Sequence, residues 1–93
     1  MLTSKQVDKT REELQENFKR LGYDKDVILQ DTGLSRRELD GVLEMSNPDP
    51  GNVWMLRDYL EDMLNKEGIA LYPWTRLADH TANKWFIYDT PWR

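Results

Sequence analysis

Four residues in one short stretch have side chains suited to reading a polar, charged surface: Ser35, Arg36, Arg37 and Asp40. A guanidinium presents five donors in a planar fork that fits a guanine edge or a phosphate in bidentate fashion. Two adjacent arginines at the start of a helix would therefore form a compact recognition face, or equally a solvated first turn. Ser35 and Glu38 stand at capping-box spacing, where the hydroxyl accepts the N–H of Glu38 and the carboxylate accepts the N–H of Ser35. Elsewhere reactive chemistry is sparse. His80 is the only histidine, and Asp79 beside it is not a ligand-spaced partner. The absence of cysteine removes thiolate metal sites, thiol catalysis and a disulfide framework. No nucleophile elbow, phosphate-binding glycine loop or zinc-protease pattern is present. The sequence points away from an enzyme and calls for no cofactor and no metal.

The elements that would position Ser35 to Asp40 are short and well punctuated. Asp24 can cap a helix carrying Val27, Ile28 and Leu29, which Gly33 breaks. Leu34 follows as an inward residue, and the helix after Ser35 turns Leu39, Val42 and Leu43 to the core. Before this unit, residues 3–21 open on Thr3 and Ser4 and place Val7, Thr10, Arg11, Leu14, Phe18 and Leu21 on one helical stripe. Lys9, Glu12, Glu13, Glu16, Lys19 and Arg20 fall on the opposite, charged face, and Gly22 is the stop. Residues 46–52 are dense in turn formers, with Asp49 or Asn52 as the cap and Pro50 suited to the first position of a fourth helix. That helix carries Val53, Leu56, Leu60, Met63 and Leu64 on one face, flanked by Trp54 and Tyr59, and closes at Lys66 and Gly68. Residues 72–92 then concentrate Tyr72, Trp74, Trp85, Phe86, Tyr88 and Trp92. They read as a segment folded back over the bundle, with a dimer interface and a ligand pocket as the other uses. The run 84–88 suits a short strand or extended arm.

Gly33 to Ser35 supplies the sharp connection that a helix-turn-helix needs between its two helices. The run Ile28-Leu-Gln-Asp-Thr-Gly33 followed by Leu34-Ser-Arg-Arg-Glu-Leu-Asp-Gly-Val-Leu43 resembles the repressor-like, Cro/C1-type helix-turn-helix class. Thr10-Arg-Glu-Glu-Leu-Gln-Glu-Asn-Phe18, Trp54-Met-Leu-Arg-Asp-Tyr-Leu60 and Trp85-Phe86 extend a resemblance over nearly the whole chain to a small bacterial family of uncharacterised helix-turn-helix-like proteins. The first resemblance implies that Ser35, Arg36, Arg37, Asp40, Gly41 and Glu44 face the major groove. Two features depart from that pattern. Leu29 stands where the class carries a small residue at the closest helix approach. Asp40 and Glu44, with Asp31 nearby, would put carboxylates against a polyanion.

The 93 residues fit one domain, and 39% hydrophobic residues permit a modest core. The expectation is an all-α fold: a four-to-five-helix bundle over residues 1–93, with the helix-turn-helix at 24–45 and an aromatic-rich C-terminal arm or short strand over 69–93. A net charge of −4 argues against non-specific wrapping of nucleic acid, which depends on neutralising phosphates. The leading expectation is a small DNA-binding regulator, with double-stranded DNA as partner and Ser35, Arg36, Arg37 and Asp40 at its surface. The alternative is a protein-protein interaction module whose acidic surface meets a protein partner. A homodimer through the C-terminal arm is compatible with both. Met1 to Lys9 lack a signal-peptide core and no window suits a membrane span, so the expected location is cytoplasmic.

Overall fold

The computed structural model describes residues 3–78 and 86–93, which form four α-helices and one 3₁₀ turn. They are α1 (Ser4–Leu21), α2 (Lys25–Thr32), α3 (Arg36–Glu44), α4 (Pro50–Glu67) and the turn Arg76–Ala78. The fold is all-helical, and no strand occurs among the described residues. The extended run anticipated at 84–88 is without strand pairing at 86–88, and its first two residues lie outside the described set, as does His80.

Local chemistry places the helix ends. Thr3 caps α1 in a capping box with Gln6, Ser35 caps α3 in one with Glu38, and the Asp49 carboxylate accepts the N–H of Gly51 at the start of α4. Each arrangement satisfies N–H groups that have no partner within the helix. Asp24 stands at the N-cap of α2 without making a side-chain cap bond. Gly33 ends α2 at φ 78°, a left-handed conformation that glycine adopts without steric cost. α3 ends without a glycine: Met45 takes the left-handed position at φ 50°, and its N–H bonds the carbonyls of Gly41 and Val42.

α4 is the centre of the molecule. Every residue from Val53 through Leu60 is buried, so this helix is covered on all sides rather than on one face. Leu14 of α1, Ile28 of α2, and Leu39 and Val42 of α3 join Leu56, Leu60 and Leu64 in a core where each is fully shielded from solvent. The far side of α4 is covered by residues after Gly68. Trp74 and Leu77 enter the core, and Tyr88 and Trp92 pack against it. The apolar face expected for α4, flanked by Trp54 and Tyr59, is nevertheless too narrow, because Met55, Arg57 and Asp58 are buried as well.

The charged face expected for α1 is also partly inside. Glu13 and Asn17 are completely buried, and they hold the chain that follows α4. The Asn17 amide donates to the Tyr72 carbonyl at 2.9 Å and its oxygen accepts the Tyr72 N–H at 2.8 Å. One turn earlier, Glu13 Oε1 accepts the N–H of Thr75 at 2.7 Å. These side chains replace hydrogen bonds that an irregular backbone segment would otherwise lack. No helix among the described residues is long and apolar enough to cross a membrane.

Candidate functional site

The turn between α2 and α3 is fixed by three neighbouring contacts. Thr32 is buried and donates its hydroxyl to the Ile28 carbonyl at 2.7 Å, while the same oxygen accepts the Leu34 N–H at 3.3 Å. Gly33 turns the backbone, and Leu34 is then driven into the interior at 7% exposure. Ser35 is used up as a cap: its Oγ accepts the N–H of Glu38 at 3.1 Å, and Glu38 Oε1 accepts the N–H of Ser35 at 2.9 Å. The hydrogen bonds from the Ser35 N–H and hydroxyl, aided by Asn52, hold the Glu38 carboxyl below its ordinary pKa against the smaller opposing effect of burial. α3 therefore leaves the turn with Leu39, Val42 and Leu43 facing the core and its first turn facing solvent.

The sequence-selected residues have different environments. Arg36 and Arg37 are both exposed. Arg36 forms an ion pair with Asp26 of α2 at 3.3 Å, with 61% and 86% of the two side chains exposed. Arg37 has no ion pair among the described residues. Asp40 is half-buried and binds Lys25 Nζ at 2.8 Å, which joins the start of α2 to the middle of α3. Its negative charge is thus matched within the unit. Asp31 accepts the Tyr59 hydroxyl at 2.6 Å, so it is engaged with α4. Burial, followed by that bond to Asp31, pushes the Tyr59 phenol well above its ordinary range. Glu44 is exposed at the end of α3, and Leu29 is half-buried against the core. Lys25, Asp26 and Thr32 escaped the sequence reading. The i, i+4 spacing of Thr32 to Ile28 was the available signal for a hydroxyl folded back on its own helix.

A second polar centre lies along α4, around Arg57. Arg57 is 3% exposed, yet it is fully engaged: Nε donates to the Leu77 carbonyl at 3.0 Å, and Nη1 meets Asp58 at 2.9 Å and Glu61 at 2.8 Å. The guanidinium also lies 5.6 Å from the Trp74 ring centre and 6.0 Å from that of Trp54. Asp58 Oδ2 accepts the Tyr88 hydroxyl at 2.8 Å, and Asp62 Oδ2 accepts from Trp92 Nε1 and Arg93 Nε, each at 2.8 Å. Burial alone would push the Asp62 carboxyl up, but the hydrogen bonds from Arg93 and Trp92 and the nearby positive charges outweigh it and hold it low. Asp58 and Asp62 of α4 are therefore ties for the C-terminal segment rather than part of a solvated face.

Residues 1–88 match the family model described as an uncharacterized protein conserved in bacteria, DUF2316. The chain belongs to this family. No curated protein and no solved structure matches it. In this DUF2316 member the start of α3 and its α2 partners present charges of both signs beside a fixed backbone turn. Among the described residues no group of three or more His, Cys, Asp or Glu side chains is arranged to hold a metal ion.

Proposed function

We propose that residues 24–45 are a helix-turn-helix and that the chain is a small DNA-binding regulator that presents the first turn of α3 to the major groove. The observation that supports this most directly is the turn itself. A left-handed Gly33, a buried Leu34 and a capping box at Ser35 aim one face of a short helix outward and lock the other into the core. On that outward face Arg37 is available for a base edge or a phosphate. Arg36 becomes available once an exposed, weak ion pair with Asp26 is exchanged for a phosphate. The Lys25–Asp40 pair reduces the repulsion between Asp40 and the duplex.

Charge supports a second reading. Residues 24–45 hold three basic residues against six acidic ones, an unfavourable balance for a polyanion and a suitable one for a basic protein surface. The two readings separate in a titration of labelled duplex with the folded protein at low salt. Under the DNA reading Arg37→Ala weakens binding by about 1–3 kcal/mol if Arg37 meets a base edge, or uniformly across sequences with a salt slope lower by about one if it meets a phosphate. Under the protein-partner reading the intact protein and Arg37→Ala give the same flat titration.

A further inference from the structure

Away from the α2–α3 unit, a pocket of about 560 Å³ opens between α1, the connection from α3 to α4, the first turns of α4 and the 3₁₀ turn. Its size falls within the range of small-molecule sites. Val53, Trp54, Leu77 and Phe86 supply apolar wall. Two polar features stand out against it. Thr10 lines the pocket at 1% exposure, and its Oγ1 is buried with no hydrogen-bond partner. Arg76, exposed and without an ion pair among the described residues, is the charged member of the described lining. A buried hydroxyl without a partner is costly, and an apolar cavity with few convergent polar groups is the usual form of a ligand site.

We propose that this pocket binds a medium-chain aliphatic carboxylic acid. The carboxylate pairs with the Arg76 guanidinium, the chain lies against Val53, Trp54, Leu77 and Phe86, and Thr10 borders the inner end. Arg76, the charged and exposed residue of the described lining, fixes the direction, because it attracts the carboxylate to its own end. The inference does not depend on the DNA reading, since of residues 24–45 only Met45, past the end of α3, lines the pocket among those described.

Calorimetric and thermal-shift titrations of the full chain with decanoate, 1-decanol and decylamine test it. Decanoate binds saturably below its micelle concentration with a Kd of about 1 mM or tighter, and it raises the melting temperature. Decylamine does not bind, and 1-decanol binds at least about tenfold more weakly than decanoate. Arg76→Gln weakens decanoate by about tenfold and leaves the melting temperature of the free protein unchanged, because the residue is exposed. Thr10→Val, which removes the unpartnered hydroxyl at constant shape from the end where the alkyl chain lies, keeps or raises the free protein's melting temperature and binds decanoate at least as tightly as the parent. A folded protein with no saturable decanoate binding overturns the proposal. So does an Arg76→Gln variant that binds as tightly as the parent, a Thr10→Val variant that binds decanoate more weakly than the parent, or decylamine binding that matches decanoate.

Discussion

At the scale of single residues, Asp26 governs how much positive charge the start of α3 presents. Its pair with Arg36 is held at 3.3 Å between two largely exposed side chains, a geometry worth less than about 1 kcal/mol. Asp26→Asn removes that competitor and one negative charge from the face, while costing α2 only the small benefit of an acid in its first turn. The variant is expected to bind duplex more tightly at low salt and to steepen the dependence on salt by about one ion. Identical titrations for variant and parent would mean that Arg36 does not meet DNA. Glu38 adds a pH dependence. Its folded pKa is depressed, so its contribution to stability is present above the unfolded value of about 4.3 and is lost as pH falls through the folded value. Urea titrations at neutral and acid pH should show a smaller acid loss for Glu38→Gln than for the parent. Parallel losses would remove the capping box from the account of α3.

Whole elements were legible in the sequence where their determinants are local. Thr3, Ser35, Asp49, Gly22, Gly33 and Gly68 all stand at helix boundaries, because a cap needs only its own few neighbours. The helix start that carries Ser35 to Asp40 was legible in the same way. Their pairing with Lys25 and Asp26 was not, since it depends on how α2 lies beside α3. Burial on α1 and α4 was read too narrowly for a related reason. Glu13 and Asn17 are inside because residues 72–75, more than fifty positions later, lie across them. Arg57 and Asp58 are inside because the chain returns over the back of α4. Arg57→Ala should cost about 3–5 kcal/mol in a denaturant titration, since it leaves the buried Asp58 with only the exposed Arg93, 3.9 Å away, as a cation. A loss under about 1 kcal/mol would place Arg57 at the surface. Gly51 offers a contest of magnitudes. Alanine favours a helix over glycine by about 1 kcal/mol, but a Cβ there would sit 2.8 Å from the Ile87 carbonyl. Overpacking of about 1–3 kcal/mol should win, and the melting temperature of Gly51→Ala should fall. A rise would mean that residues 86–93 do not lie against α4.

For the molecule as a whole, stability resides in the core around α4, and the proposed recognition surface is the α2–α3 turn. The radius of gyration of 12.2 Å is that of a densely folded chain of this length. Leu56, fully buried at the centre of α4, ties the helices together, and Leu56→Ala should lower stability by about 2–5 kcal/mol by chemical denaturation. With a net charge of −4, any affinity for DNA must come from local contacts and not from the overall field. Few phosphates can be neutralised, so salt dependence should be shallow and non-specific binding weak. One short α3 makes few base contacts, and useful specificity would require two copies on half-sites about 34 Å apart. The measurement that bears most directly on the proposed function is selection from a random duplex library, at low salt and again at about 0.15 M, with folding verified in each buffer. An enriched motif that is two-fold symmetric, and that is lost from the selection when Arg36 and Arg37 are both replaced by alanine, is the predicted result. Recovery of no motif at either salt by the folded protein would contradict DNA binding and favour a protein partner for the α2–α3 surface.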